Sequence, residues 1–227
     1  MRHAGGIRRL AVSAIQTGGL DGIKMFGPEH LDKQFVASTT NVIGRRRGAG
    51  YWLWKPYLIN RTLHEMSEGD LLFYVDAQLY FVSTSDPLFE MVLVEPSGIV
   101  LFGMAMHAEK KFTKRQVFTK MKVDRPEVTD TPQRAATFIL FRNCENARDF
   151  VQQWLELCKD SELISDEETC GDEEDYEDYM AHRHDQSIFS VLSKIRGIPA
   201  YRLPTQYGLE PPETDMPGLY PQILVAK

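Results

Sequence analysis

Short apolar segments recur along the chain and indicate β-strands. They are residues 7–15, 71–81, 98–107 and 136–142, with a short final segment at 222–226. The segment LLFYVDAQLYF (71–81) is interrupted mainly by Asp76 and Gln78. Nearly continuous apolar segments of this length are typical of strands that are buried on both faces of a parallel sheet. We therefore predict that Asp76 lies at the end of a buried strand.

Between these apolar segments lie residues whose pattern predicts helices. The predicted helices begin at Pro56 and at Asp86, and cover about 112–121, 147–158 and 185–196. Proline is preorganised for the first position of a helix, and the residue before a proline disfavours the α conformation. Lys55 is therefore expected to be extended. Thr113 and Gln116 have the spacing of a capping box, which predicts a helix start at Thr113.

Strands that alternate with helices predict an α/β sandwich whose central sheet is largely parallel, or mixed, and is flanked by helices. No linker or repeat divides the chain, so residues 1–227 are expected to form a single domain with an acidic loop (165–178) and a Pro-rich tail (203–227). Ligands of such sheets bind beyond the carboxyl ends of the strands. This rule predicts that Thr17–Gly19 and Asp76–Gln78 lie together at one binding edge.

The charge of the chain is concentrated in the acidic loop. The 227 residues carry 26 basic and 32 acidic side chains, and nine of the acidic ones lie in residues 165–178. The remainder is near neutral, and its one basic cluster is Arg45–Arg47, so we expect no nucleic-acid partner. Like-charge blocks are usually solvated loops. No apolar segment approaches the roughly 20 residues of a membrane span, so no membrane span is expected.

Cysteine usage indicates a reducing compartment. Cys144, Cys158 and Cys170 are odd in number and lack CxxC spacing. They fit free thiols better than a disulfide or zinc framework. We expect a cytoplasmic protein.

Asp76 carries the strongest chemical signal. A carboxylate at the end of a buried strand is costly unless it is paired or coordinates a cation. Mg²⁺ and Mn²⁺ prefer oxygen ligands and often take one or two carboxylates plus substrate phosphates and water. Asp76 and the amide oxygen of Gln78 are therefore candidate metal ligands. The alternative is that Asp76 only caps the turn after the strand.

The segment GAGYWLWKP (48–56) places aromatic rings and a lysine at a predicted helix N-terminus. Such a terminus favours anions, and Lys55 adds a positive charge suited to phosphate. Trp54 is a candidate for stacking on a base or a sugar. The alternative is that Tyr51, Trp52 and Trp54 are core residues.

Polar residues also crowd the start of the last predicted helix. His184, Asp185 and Gln186 stand in the segment AHRHDQSIFSVL (181–192). A carboxylate beside imidazoles suits general-base catalysis or the binding of a sugar hydroxyl, which makes these three residues candidate catalytic residues. The alternative is that Asp185 is simply the N-cap of the helix. His182 and His184 do not share a helix face, so zinc is not expected.

Together these segments resemble a family of small glycosyltransferases of the GT-A fold, found in bacteria and in large algal DNA viruses. The matching segments are Thr17-Gly18-Gly19, RGAGYWLWKPYLI (47–59), GDLLFYVDAQ (69–78), TKRQVF (113–118), TPQRAATFILF (131–141) and HRHDQSIFSVL (182–192). The resemblance covers roughly residues 8–207. For a viral member it implies the host cytoplasm.

The resemblance implies a nucleotide-diphosphate sugar as donor, a UDP-sugar above all, and a divalent cation, Mn²⁺ or Mg²⁺. Thr17, Gly18 and Gly19 would border the base and ribose, and Asp76 would be the first carboxylate of a DxD-type motif. Gln78 stands where the second carboxylate is often found. Asp185 would be the catalytic base or would hold the acceptor.

The sequence therefore predicts a transferase that moves a sugar from a nucleotide-diphosphate donor to a carbohydrate or glycoprotein acceptor. A non-catalytic module of the same fold that binds nucleotide sugars or glycans is the main alternative. A third is an interaction protein whose acidic loop docks on a basic partner. The sequence leaves open whether the transfer inverts or retains stereochemistry.

Overall fold

The computed structural model describes residues 2–167 and 174–226, so Cys170 and the middle of the acidic loop lie outside the described residues. The longer helices are α1 (Arg2–Gln16), α5 (Trp54–Glu65), α6 (Asp86–Val94), α10 (Glu145–Lys159) and α12 (Asp185–Ile195). The shorter ones are α2 (Lys33–Ser38), α3 (Thr40–Ile43), α4 (Gly48–Tyr51), α7 (Glu109–Phe112), α8 (Arg115–Lys120), α9 (Pro126–Thr129) and α11 (Ser161–Ile164).

The strands are β1 (Leu71–Val75), β2 (Tyr80–Phe81), β3 (Ile99–Ala108), β4 (Pro132–Arg142), β5 (Ala200–Tyr201) and β6 (Leu224–Val225). Four of them form a sheet in the order β1-β4-β3-β5, and β2 pairs with β6. β4 runs antiparallel to both β1 and β3, whereas β5 is parallel to β3. The α/β class and the mixed sheet flanked by helices are confirmed. The predominance of parallel pairs is wrong, because β4 returns antiparallel between two strands.

The first predicted strand is a helix. Residues 7–15 lie within α1, where Ile7, Leu10 and Ala14 follow the i, i+3, i+7 spacing of one helix face. Ala14 is buried and Leu10 packs beside it in the cluster that includes Phe81 of β2. The short apolar segment fits either element, and the helical spacing within it is the signal that decides for a helix.

The apolar segment 71–81 divides at Asp76. β1 ends at Val75, a turn follows, and β2 covers only Tyr80 and Phe81. All five residues of β1 are half-buried, because β1 is an edge strand of the sheet. The prediction of one continuous, fully buried strand is wrong, but Asp76 does follow directly after a strand.

Two predicted helix starts are also corrected. α5 begins at Trp54, so Lys55 is helical rather than extended. Pro56 is tolerated in this first turn because its missing N–H has no partner there. α8 begins at Arg115, and the hydroxyl of Thr113 donates to the buried carboxylate of Glu109 (2.7 Å) instead of capping the helix.

The amphipathic face predicted for α10 is confirmed. Its buried residues are Ala147, Phe150, Val151, Trp154, Leu155 and Cys158. They pack with residues of α5 and α12 on one face of the sheet, while α1, α6, β2 and β6 cover the other face. The indole N–H of Trp154 donates to the carbonyl of Asp185 (2.9 Å). The core therefore fixes the start of α12.

Among the described residues, no helix has the length and apolar character needed to cross a membrane.

Candidate functional site

A buried lysine joins three elements of the fold. Lys55 projects from the first turn of α5, and its Nζ lies 2.9 Å from Oδ2 of Asp185 in α12. It also donates to the carbonyl of Ala136 in β4 (3.2 Å) and lies 4.0 Å from Oδ1 of Asp76. Only 5% of the Lys55 side chain is exposed. The ammonium therefore holds two carboxylates from distant parts of the sequence at one point.

Asp76 is the outward-facing member of this cluster. The phenol of Tyr74 donates to its Oδ1 (2.6 Å), and its backbone N–H donates to the carbonyl of Thr137 (2.9 Å). A quarter of its side chain (24%) is exposed, against 4% for Asp185. Asp76 is thus a paired carboxylate that solvent can still reach, and it is more than a cap of the turn after β1.

Asp185 is the buried member. α12 begins at Asp185 and its N-cap position is His184, so the alternative that Asp185 serves as the N-cap is wrong. Burial raises the pKa of Asp185 to about 6, although Lys55 opposes this shift. At neutral pH the carboxylate is therefore ionised, with a proton affinity much closer to neutrality than that of an exposed aspartate.

The electrostatics of the cluster are those of two carboxylates around one cation. Burial lowers the pKa of Lys55, but the negative charges of Asp185 and Asp76 raise it by more. The pKa of Lys55 is therefore raised above its ordinary value. Burial, with Asp76, raises the pKa of Tyr74 well above its ordinary value. Lys55 stays charged and Tyr74 stays protonated at neutral pH. The surplus negative charge suits the binding of hydroxyl groups or of a further cation.

His184 belongs to a different environment. Its ring stacks on Tyr51 (4.8 Å between centroids) and on Trp52 (5.5 Å). Its Nδ1 lies 2.8 Å from the carbonyl of Ile164, and its Nε2 lies 3.6 Å from the carboxylate of Asp166. Burial lowers its pKa. These contacts of His184, a predicted catalytic residue, involve neither Asp76 nor Lys55.

Gln186 holds α12 against the sheet. Its Oε1 accepts the backbone N–H of Ala136 (3.1 Å), and its Nε2 donates to Oε1 of Gln133 (3.0 Å). Ala136 is also the residue whose carbonyl accepts from Lys55. Gln186 thus positions the helix that carries Asp185, and its side-chain amide is occupied on both sides.

Thr17, Gly18 and Gly19 do not join the cluster. They form the turn after α1, where the carbonyl of Gly18 accepts from the N–H of Ser85 (3.0 Å). The other end of α1 approaches Ala77, next to Asp76, at Gly6. Ten residues of helix, about 15 Å at 1.5 Å per residue, separate Gly6 from Gln16. The prediction that this turn meets Asp76–Gln78 at one edge is wrong, because residues 7–15 form a helix and not a strand of the sheet.

The aromatic segment 48–56 is divided between the core and the edge of the site. Tyr51 is buried in the core, as its alternative interpretation held. Trp54 is half-buried, and its indole N–H donates to the carbonyl of Gly48 (3.0 Å). Gly48, Ala49, Gly50, Tyr51 and Trp52 all have positive φ. Non-glycine residues rarely adopt this conformation, so the segment stores backbone strain next to Lys55.

The acidic run has partners within the chain. Arg45 pairs with Glu167 (2.7 Å), and Arg47 pairs with Asp166 (3.0 Å). The described start of the acidic loop therefore lies on the basic cluster that precedes the strained segment. These ion pairs occupy acidic side chains that would otherwise be available to a basic partner protein.

The residues present fit a divalent cation only in part. Within residues 2–167 and 174–226, no group of three or more His, Cys, Asp or Glu side chains could enclose a metal ion. Asp76 offers one accessible carboxylate, and Gln78 is an exposed residue of the following turn. This donor set suits Mg²⁺ or Mn²⁺ when substrate phosphates and water supply most of the ligands. A cation held at Asp76 would therefore need most of its ligands from outside the described residues.

Sequence reasoning missed two residues that shape the cluster. Tyr74 stands two residues before Asp76, and alternate residues of a strand share a face, so this spacing could have revealed the pair. Gln133 lies far from the α12 motif in sequence, and its contact with Gln186 depends on the antiparallel placement of β4. No local signal indicates that contact.

Protein-family models give no match to the chain, and neither do curated proteins. Among solved structures the chain is similar to the crystal structure of mouse xyloside xylosyltransferase 1 in its apo form. The TM-score is 0.44 and the sequence identity 13%, with 85% of this chain and 72% of the mouse chain covered. At this identity the similarity concerns the overall fold alone.

Proposed function

We propose that the protein is a glycosyltransferase that moves a sugar from a nucleotide-diphosphate donor, a UDP-sugar above all, to a carbohydrate or glycoprotein acceptor. One observation carries this proposal. Lys55 holds a solvent-accessible carboxylate, Asp76, and a buried carboxylate, Asp185, within 4.0 Å of one ammonium group. Two acidic groups in such different environments suit two different roles in one reaction.

Asp76 is proposed to contact the donor. Its partly exposed carboxylate could accept hydrogen bonds from ribose hydroxyls, or could hold a divalent cation together with the diphosphate, with Gln78 nearby in the turn. When bound, Mn²⁺ or Mg²⁺ would take up the negative charge of the departing diphosphate. Tyr74 and Lys55 fix the orientation of Asp76, which therefore needs little reorganisation when the donor binds.

Asp185 is proposed to act on the acceptor. With its pKa near 6 it is ionised at neutral pH and can receive the proton of an acceptor hydroxyl. The bond between the sugar C1 and the diphosphate oxygen breaks, and a bond between C1 and the acceptor oxygen forms. The proton goes to Asp185 and the electron pair goes to the diphosphate. If stereochemistry is retained, Asp185 instead orients the sugar.

The supporting experiment is a release assay on a panel of nucleotide-diphosphate sugars with Mn²⁺. We expect nucleoside diphosphate release from one donor, reduced at least 100-fold in Asp185→Asn. Asp149→Asn is the matched control, since Asp149 is an exposed residue of α10 that pairs with Arg196. Binding of a donor without turnover on any acceptor would favour the non-catalytic module, and no binding of any donor would overturn the proposal.

A further inference from the structure

A second buried cluster of charges lies beside the start of α12. The carboxylate of Glu109 is fully buried and lies 2.5 Å from Nζ of Lys194. The guanidinium groups of Arg134 and Arg183 also act on Glu109 electrostatically. One carboxylate therefore faces three cations, and the cluster carries surplus positive charge. Burying such charge is costly unless an anion compensates it.

Arg183 is the cation of this cluster that is best placed for a ligand. It is half-buried, and no carboxylate of the described residues lies within 4.0 Å of it as an ion pair. Its guanidinium lies 3.9 Å above the ring of Phe112, and its Nη1 donates to Oε1 of Gln133 (3.3 Å) and to Sδ of Met104 (3.7 Å). A guanidinium has five donors in a planar fork, so most of them are left for a ligand.

His107 supplies an independent sign of a polar ligand. Its ring lies 4.9 Å from the same Phe112 ring, and its Nδ1 is buried without a hydrogen-bond partner among the described residues. Burial and the nearby Arg183 both lower its pKa. An imidazole nitrogen without a hydrogen-bond partner and a guanidinium without a carboxylate partner thus both lie close to the ring of Phe112. Both would gain from the same anionic group.

This place is next to the proposed reaction centre. Arg183 and Asp185 are two residues apart, which limits their Cα separation to about 7 Å. Oε1 of Gln133 accepts from both Arg183 and Gln186 (3.3 and 3.0 Å), so one side chain fixes Arg183 relative to the first turn of α12. A group bound at Arg183 would therefore lie near the N-terminal end of α12, the helix that carries the carboxylate proposed to receive the acceptor proton.

We propose that Arg183, with His107 and Phe112, forms a subsite for an anionic group on the acceptor sugar, either a carboxylate or a phosphate. This inference rests on the proposed function for the identity of the ligand as acceptor. The stacked, forked guanidinium suits bidentate binding of either group. The arginine thereby selects acidic glycans or sugar phosphates over neutral acceptors.

The test is a thermal-shift titration of the full chain with sodium D-glucuronate, with D-glucose 6-phosphate and with neutral D-glucose in matched NaCl. At a hundred times the Kd, one of the two anions should raise the melting temperature by about 5–10 °C. D-Glucose should give no rise. The anion that acts shows whether the subsite takes a carboxylate or a phosphate.

Variants of Arg183 test whether the rise in melting temperature comes from binding at this residue. The rise should disappear in Arg183→Gln and persist in Arg142→Gln, which removes a half-buried arginine at the far end of β4. Arg183→Lys, which keeps the charge but loses the fork, should show a reduced rise and serves if Arg183→Gln does not fold. Equal rises in the wild type and in Arg183→Gln, or no rise with either anion, would overturn the proposal.

Titration of the same variants with UDP separates this subsite from the proposed function. UDP binding should change less than twofold in Arg183→Gln. Loss of UDP binding in that variant would place Arg183 in the donor site and overturn its assignment to the acceptor. A wild type that responds to the anions but not to UDP would overturn the proposed function and leave the anion subsite standing.

Discussion

The ammonium of Lys55 and the carboxylate of Asp185 lie 2.9 Å apart, with 5% and 4% of their side chains exposed. Removing one partner of a buried ion pair leaves an uncompensated charge. We expect Lys55→Met to lower the free energy of unfolding by about 3–5 kcal/mol, measured by urea denaturation at pH 7. The double variant Lys55→Met/Asp185→Asn should lose less than the sum of the two single changes. Additive losses would show that the two groups do not interact.

The pH dependence of stability reports the environment of Asp185. Burial raises its pKa from 3.8 to about 6, so the folded protein binds this proton more tightly than the unfolded chain does. Its contribution to the free energy of unfolding is therefore fully present below about pH 4 and is lost as the pH rises through 6. Two pKa units correspond to about 3 kcal/mol.

Urea denaturation of the wild type and of Asp185→Asn at pH 4 and pH 7 checks this linkage. The wild type should lose stability relative to the variant between the two values. A stability difference that is independent of pH would mean that Asp185 titrates as an ordinary exposed aspartate.

The buried charges around Glu109 predict which of two substitutions lowers the free energy of unfolding more. Glu109 is the one carboxylate facing Lys194, Arg134 and Arg183 among the described residues, so Glu109→Gln should cost about 3–5 kcal/mol of unfolding free energy. Lys194→Met should cost less, because Glu109 keeps its bond from Thr113 and the field of Arg134. Urea denaturation of both variants tests the order, and the reverse order would contradict this description of the cluster.

The pairs between the basic cluster and the acidic run should contribute little to stability. The side chains of Arg47 and Asp166 are 55% and 37% exposed. Exposed pairs are worth about 0.2–1 kcal/mol and are screened by salt. Arg47→Gln should therefore lower the unfolding free energy by less than about 1 kcal/mol at low ionic strength, and by nothing measurable in 1 M NaCl. A loss of several kcal/mol, unaffected by salt, would assign the pair a structural role.

The sequence predicts the structure correctly where helical periodicity extends over many residues, or where the chemical signal lies within a few neighbouring residues. The buried face of α10 follows from fifteen residues of helical spacing, and Asp76 was placed correctly after β1. The sequence does not decide the structure where a short segment fits both a strand and a helix. Residues 7–15 suit a strand by length and a helix by spacing, and the strand prediction wrongly places Thr17–Gly19 at the site.

Contacts between distant segments account for the rest. Lys55 and Asp185 lie 130 positions apart in the sequence, and the packing of their helices on β4 and α10 brings them together. The candidate residue types were visible in the sequence. The ion pair between Lys55 and Asp185 was not visible in the sequence. Because of it, Lys55 holds two carboxylates instead of serving as the expected phosphate ligand.

Calorimetric titration of the wild type, Asp76→Asn and Asp70→Asn with UDP, with and without Mn²⁺, tests whether Asp76 binds the donor together with a cation. Asp70 precedes β1 at its opposite end and accepts from the N–H of Ser67 (2.9 Å), which makes it a matched control on the same strand. We expect Mn²⁺ to tighten UDP binding at least tenfold in the wild type and in Asp70→Asn, and Asp76→Asn to lose this gain. Absence of UDP binding by the wild type, or an undiminished Mn²⁺ effect in Asp76→Asn, would contradict this expectation.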